Sequence, residues 1–289
     1  MKRIILYLVL FALSYNAYAQ LNSNFFNNNT INPASVGLKD NFNIGVKYET
    51  TGVNSSLKQG FDGNPNTFLF NAYKPINDKI ALGVSYVNLK YGPFKDNFFN
   101  VDVSYKYNIN ENSDFLFGLK TGISNYKVSF QSLLLPDGTS FSSKINDTDF
   151  NLGIGAQYVS NNLQLGLSVP NLLQRDIENY SSDKKRISIV FTSLYKVAIN
   201  DNIEFQPGML LSKPTDDNLF YYFSADFGFK KVIHLGVNYQ EDVFGIQISS
   251  PKIAGIFKLG LNIGFINTNG IKTDYNKNVA FFGNFEFPN

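Results

Sequence analysis

Asn100-Val101-Asp102-Val103-Ser104-Tyr105-Lys106-Tyr107 decides the fold. In an extended chain, Val101, Val103, Tyr105 and Tyr107 leave one face, while Asn100, Asp102, Ser104 and Lys106 leave the other. Leu163-Gln164-Leu165-Gly166-Leu167-Ser168-Val169 repeats the pattern. The polar face carries charges and glycines inside the strand, not only at its ends. An outer-membrane barrel sorts its residues this way, with the apolar face toward lipid and the polar face toward a wet lumen.

Working outward, the same period predicts fourteen strands. They are Phe42–Thr50, Thr67–Lys74, Lys79–Lys90, Phe98–Asn108, Phe115–Phe130, Phe150–Val159, Leu163–Val169, Arg186–Ile199, Ile203–Ser212, Leu219–Phe229, Val232–Tyr239, Val243–Ser250, Phe257–Ile266 and Val279–Phe287. The fold class is therefore all-β, an antiparallel transmembrane barrel of even strand number. Connections after even strands are tight (Pro75–Asp78, Ile109–Asp114, Ser160–Asn162, Asn200–Asn202, Lys230–Lys231, Pro251–Ile256) and rich in turn formers. Those after odd strands include the long ones: Thr51–Asn66, Gln131–Asp149, Pro170–Lys185 and Asn267–Asn278. Gln240–Asp242 is a tight exception on the long-loop side. Short turns at the periplasmic end and long loops outside are the rule for such barrels.

The ends fit this plan. Met1-Lys2-Arg3, the apolar Ile4–Leu13 and Ala17-Tyr18-Ala19 form a basic start, a short apolar core and a small-x-small cleavage site. The expected organisation is a signal peptide at 1–19, an N-terminal periplasmic segment at 20–41 and a barrel at 42–289. Removing Lys2 and Arg3 from the 25 basic residues leaves 23 against 23 acidic ones, so no charge excess argues for nucleic acid. Cysteine is absent, which excludes disulfides and thiolate metal sites. The aromatic residues are 28 Phe and 17 Tyr, and membrane barrels place such rings at both interfaces.

Chemistry is sparse. His234 is the only histidine, so a histidine metal cluster is excluded, and it reads as a lumen-facing structural residue. Phosphate-loop and nucleophile-elbow motifs are absent, and Gly153-Ile154-Gly155 is a strand pattern with no helix after it. No catalytic residue, metal or cofactor is expected. Charged lumen candidates are Glu49, Asp102, Glu204, Asp226 and Glu286, against Lys47, Lys106, Lys120, Lys196 and Lys258. Mixed signs can pair across the lumen, or they can line an ion path. Glycines recur at polar-face parity: Gly45, Gly83, Gly118, Gly122, Gly153, Gly155, Gly166, Gly236, Gly260 and Gly264. Curvature of a closed sheet is the simpler reason. The alternative is a lumen kept clear for an inserted peptide. The stretch before the barrel holds Ile31-Asn32-Pro33-Ala34 and Gly37, a turn that can dock in the barrel, sit on its periplasmic rim or hang free.

Those residues also carry a resemblance. Ile31-Asn32-Pro33-Ala34 with Gly37, Pro65 with Thr67, Ile80–Val84 with Asn88 and Gly92-Pro93, Phe117–Gly122 and Leu165–Leu173 resemble the PorP/SprF family of type IX secretion membrane proteins from the Bacteroidota. The final Phe287 fits the family's closing aromatic strand, although Pro288-Asn289 trail it. The resemblance implies an accessory outer-membrane barrel that supports secretion or surface attachment of a specific large secreted adhesin. The implied partners are the C-terminal domain of that client, the periplasmic peptidoglycan-linked components of the machinery, and outer-membrane lipid. Ile31, Asn32, Pro33, Ala34 and Gly37 are the expected partner contacts. A passive porin for small solutes is the competing expectation.

Overall fold

The computed structural model describes residues 28–51, 65–134, 140–173, 187–214, 218–229, 232–240, 243–266 and 277–287. Residues 1–27, where the signal peptide is expected, lie outside them, as do 52–64, 135–139, 174–186, 215–217, 230–231, 241–242, 267–276 and 288–289. Two short 3₁₀ turns, Asn28–Thr30 and Pro33–Gly37, precede the sheet. The strands are β1 Phe42–Thr51, β2 Asn66–Pro75, β3 Ile80–Tyr91, β4 Phe94–Asn110, β5 Ser113–Leu134, β6 Ser140–Ser160, β7 Leu163–Val169, β8 Ser188–Tyr195, β9 Val197–Asn200, β10 Ile203–Pro214, β11 Phe220–Phe229, β12 Ile233–Gln240, β13 Val243–Ser249, β14 Phe257–Ile266 and β15 Lys277–Phe287.

Every pairing is antiparallel. Apart from β8 and β9, each strand hydrogen-bonds the next, and β15 returns to β1 with Phe42 opposite Phe287. β8 and β9 both pair with β10, so the fifteen segments make fourteen staves. Closure is the physical requirement. In hydrocarbon an open edge would leave its N–H and C=O groups unpaired, and a closed barrel has no edge.

Burial runs opposite to that of a soluble sheet. On β1, Asn43, Gly45, Lys47 and Glu49 are buried while Tyr48 is exposed. On β3, Ile80, Leu82 and Val84 are exposed while Ala81, Gly83 and Ser85 are buried. The exposed apolar side chains form the lipid belt, and the polar ones fill the lumen. Outward aromatic contacts mark both borders: Phe42–Phe287, Phe257–Phe285 and Phe205–Phe227 near the short turns, and Tyr221–Tyr239 toward the other end. Among the described residues no helix is long and apolar enough to cross a membrane.

The wall is uneven. β5 and β6 have 22 and 21 residues, whereas β7 has 7. Tyr86, Phe99, Ile123 and Phe150 stand in one cross-strand row. Above that row the outward positions are polar: Asn97, Asn125 and Thr148, then Lys95, Lys127 and Asn146. The β5–β6 hairpin therefore runs on past the apolar belt for about 30 Å along its strands, at roughly 3.3 Å per residue.

This corrects the sequence expectation of a loop at Gln131–Asp149, which β5 and β6 enter up to Leu134 and from Ser140. Leu133-Leu134-Leu135 and the polar run Asn146-Asp147-Thr148-Asp149 break the period of two, so the apolar alternation that betrays a strand is lost while the ladder persists. β4 likewise starts at Phe94 rather than Phe98. The strand expected over Arg186–Ile199 is broken at Lys196, whose N–H is donated to Asn162 O at 2.8 Å.

Candidate functional site

The segment Asn28–Leu38 lies inside the barrel. Asn32 starts it by leaving extended geometry for a 3₁₀ turn, with φ −119° and ψ 109°. Pro33 follows at the first helical position, where its fixed φ and missing N–H are no handicap. The Ala34 N–H is donated to Asn32 Oδ1 at 3.0 Å, and the Ser35 hydroxyl to Asn32 O at 2.6 Å. A turn capped within itself can enter a lumen without leaving bare backbone groups.

The wall receives it on glycines. A methyl group on Gly118 would fall 2.1 Å from Ala34 N, and one on Gly155 2.0 Å from Asn32 Oδ1. Gly83 faces Val36, and Gly166 makes room for Thr192 Oγ1 at 2.4 Å as well as for Asn32 Nδ2 at 2.9 Å. The reading of a lumen kept clear for a peptide fits Gly83, Gly118 and Gly155, and Gly166 in part. Gly122, Gly236, Gly260 and Gly264 instead make room for Asn100, Asp226, Phe282 and Asn278 of neighbouring strands.

Polar contacts lock the plug. Asn32 Nδ2 donates to Ala156 O at 3.1 Å, Asn71 Nδ2 to Asn29 Oδ1 at 2.7 Å, and the Ser104 hydroxyl to Ala34 O at 2.9 Å. Lys120 donates to the carbonyls of Asn29 and Thr30, with Asp102 Oδ1 3.8 Å away. Ile31 closes a small apolar cluster with Val190, Leu210, Phe220 and Tyr222. The cluster packs the plug against β8, β10 and β11, because apolar side chains in contact exclude water.

At the short-turn end, Glu286 accepts from Lys39 (3.1 Å), Lys252 (2.7 Å) and Asn41 (3.1 Å), and Lys106 pairs with Asp40 at 2.9 Å. Lys196 meets Glu204 at 2.9 Å and Lys47 meets Glu49 at 2.6 Å. The charged candidates thus pair along the wall or with the plug. Of the two expectations, charges paired across the lumen or an ion path, these contacts fit pairing, with the plug itself supplying Lys39 and Asp40. Beside the plug, on the side of β7 to β15, lies a cavity of ≈ 650 Å³. Lys39, Lys252 and Ile256 place its mouth at the short-turn end, and His234, Lys258, Glu204 and Gln206 line its wall.

The residues expected at a periplasmic partner surface therefore have another position. Ile31, Asn32, Pro33, Ala34 and Gly37 are all buried, and Ala34 has no exposed surface. The segment written as periplasmic, 20–41, is lumenal from Asn28 to Leu38. Its physical reason is the fit of a self-capped turn onto glycines, a fit visible only once β3, β5, β6 and β7 are side by side. Asn71, Ser104 and Ala156 were missed, although Asn71 and Ser104 share the inward parity that pointed to Asp102 and Lys120.

Comparison with known proteins agrees with this architecture. The sequence model of a family described as "Type IX secretion system membrane protein PorP/SprF" matches residues 13–287. No curated protein matches the sequence. Among solved structures, the outer membrane protein Omp33 of Acinetobacter baumannii superposes with TM-score 0.51 at 10% identity, covering 87% of this chain and 100% of its own. A FadL homologue of Pseudomonas aeruginosa gives 0.53 at 12%, covering 88% and 91%. The toluene transporter TodX of P. putida gives 0.54 at 9%, covering 90% and 93%. At such identities the likeness is one of fold: all three are similar as barrels.

Proposed function

Because the chain belongs to the type IX secretion system membrane protein family PorP/SprF, and so resides in the outer membrane, we propose that it binds a specific large secreted adhesin and supports its secretion or surface attachment. The observation that carries this reading is the filled lumen. Asn28–Leu38 on its glycine cradle and the cluster around Ile31 occupy the lumen among the described residues. A barrel closed in this way serves as a scaffold on which a client docks, rather than as a conduit. The tall β5–β6 hairpin offers that client a platform above the outer leaflet. The periplasmic rim serves the peptidoglycan-linked components. The role requires no catalytic residue, and His234 contributes only to the lining of the cavity.

A clean deletion strain tests this. It should lose one or a few surface proteins while other type IX clients still reach the surface, as read by mass spectrometry of surface-shaved peptides. His234→Ala in the chromosome should leave the same surface proteome intact. If the deletion strain displays every client at wild-type level, the accessory role is wrong and the porin reading returns.

A further inference from the structure

The outer end of the wall carries a row of like charges. Lys90 on β3 stands opposite Lys95 on β4, and Lys95 opposite Lys127 on β5. The three lysines share one cross-strand row and lie within two strand spacings, or about 10 Å. All have outward parity; Lys95 and Lys127 are exposed and Lys90 is half-buried. Like charges directly opposite on a sheet repel. Among the described residues no ion pair joins any of the three to an acidic side chain. The acids of the same wall, Asp96, Asp147 and Asp149, have inward parity. At this row β3, β4 and β5 are paired on both sides, so the lysines do not guard a sheet edge. Lys213 and Lys277, outward lysines of β10 and β15 at the same end, face Ile189 and Phe265 rather than another charge.

The rows beneath the lysines run in a fixed order. Tyr86, Phe99 and Ile123 form the last apolar row, and Asn88, Asn97 and Asn125 the next. The lysine row lies about 13 Å beyond the apolar one along the strands, or roughly 10 Å in height at the tilt of such barrels. Headgroups begin where the aromatic girdle ends. A lipid on this face therefore meets apolar surface, then side-chain amides, then ammonium groups. A phosphorylated glycolipid presents the same tiers: acyl chains, sugar hydroxyls and phosphate. Lysine suits the last tier, because its ammonium serves a phosphate as a point charge on a flexible stem. An acidic protein would match the upper tier alone and leave the apolar row below it unused.

We propose that Lys90, Lys95 and Lys127 form a binding site for the phosphate of an outer-leaflet glycolipid, whose sugar lies on the asparagine row and whose acyl chains lie on the apolar belt of β3, β4 and β5. The phosphate answers the repulsion within the row. The bound lipid fixes the height at which the tall part of the wall leaves the membrane. This site goes beyond the accessory role and does not depend on it.

Native mass spectrometry of the purified protein in detergent, titrated with diphosphoryl lipid A, tests the site. Lipid A should be retained, and removal of its phosphates should abolish retention. Lys90→Gln, Lys95→Gln and Lys127→Gln should each weaken it about fivefold, and the triple change about a hundredfold, as expected for lysines at a charged lipid surface. Arginine at all three positions should preserve it. Lys277→Gln, outside the row, should leave it unchanged. Heat-modifiable migration on gels confirms that each variant barrel is folded. Should the triple glutamine variant disturb assembly, the three single variants decide.

The site is overturned if dephosphorylated lipid A is retained as well as the diphosphoryl form, or if the glutamine variants bind like the wild type. It is equally overturned if Lys277→Gln does as much damage as a change within the row, because the effect is then one of general surface charge. Displacement of lipid A by inorganic phosphate at equal concentration would show that the sugar and acyl tiers contribute nothing, and overturns the glycolipid. Displacement by a glutamate-rich peptide would make the row a docking face for acidic protein instead. None of these outcomes bears on the accessory role, which is read in the deletion strain.

Discussion

The two halves of the lumen share one strand period and differ in what they hold. From β2 to β7 the inward positions carry Gly83, Gly118, Gly155 and Gly166, and the plug lies on them with its backbone almost touching the wall. From β8 to β15 the corresponding positions carry Lys196, Glu204, Gln206, His234, Lys258 and Glu286, and there the structure leaves a cavity. Side-chain size decides the difference. Where the inward residue has no side chain, a peptide can pack against the sheet. Where it is long and charged, the side chains hold solvent and leave a chamber. The first half behaves as a packed core and the second as a surface turned inward, so substitutions in the two should differ by several kcal/mol.

The largest break should come from the cradle. Gly118→Leu places a branched side chain where Ala34 N now sits, so the plug must leave or the barrel must fail to close. Folded yield should collapse, and any folded protein should conduct in planar bilayers where the wild type does not. A chain lacking Gln20–Gly37 should tolerate the same change. If Gly118→Leu proves equally damaging in that shortened chain, the cradle is not the reason for the glycine.

Lys120→Met comes next. Asp102 and Lys120 are both almost wholly buried, and removing one partner leaves a buried charge uncompensated. Breaking such a pair costs about 3–5 kcal/mol, measurable by urea titration in lipid vesicles. The double change Asp102→Leu with Lys120→Met should recover much of the loss. A double variant no better than the single would show that the plug carbonyls, rather than Asp102, are what Lys120 serves.

On the outer face both halves are alike, which makes a control. Leu167→Arg on the plug side and Leu235→Arg on the cavity side are exposed in the apolar belt and should each cost roughly 2–4 kcal/mol at mid-depth. A large disparity between them would mean that the belt is not a common lipid surface.

The smallest effect is expected on the cavity side. Glu204→Gln breaks a pair with Lys196 whose partners are 30% and 49% exposed. Exposed pairs are worth about 0–1 kcal/mol. A loss above that in the same titration would show that the chamber is packed rather than solvated.

Much of this was legible in the sequence. The period of two at Asn100–Tyr107 and Leu163–Val169 already separated lipid face from lumen face, because a strand has only two faces and a membrane makes them chemically opposite. Loop lengths and the even strand count pointed to the closed barrel. β7 and β14 have the same ends in the structure as in the sequence reading. At Gln131–Leu134 and Ser140–Asp149 the period of two is absent from the sequence, and the strand there is visible only in the ladder.

The inward glycines were visible as a pattern but not as a cradle. Gly83, Gly118, Gly155 and Gly166 are far apart in the chain and meet only through the register of β3 to β7. The turn at Asn32-Pro33 was likewise visible, yet its place was not. Composition and spacing determine that a segment can turn, whereas burial of that turn depends on which side chains are missing from the wall opposite it. That choice, plug against rim, belongs to the tertiary structure, because close approach of two backbones is a property of pairs of residues that no local pattern encodes.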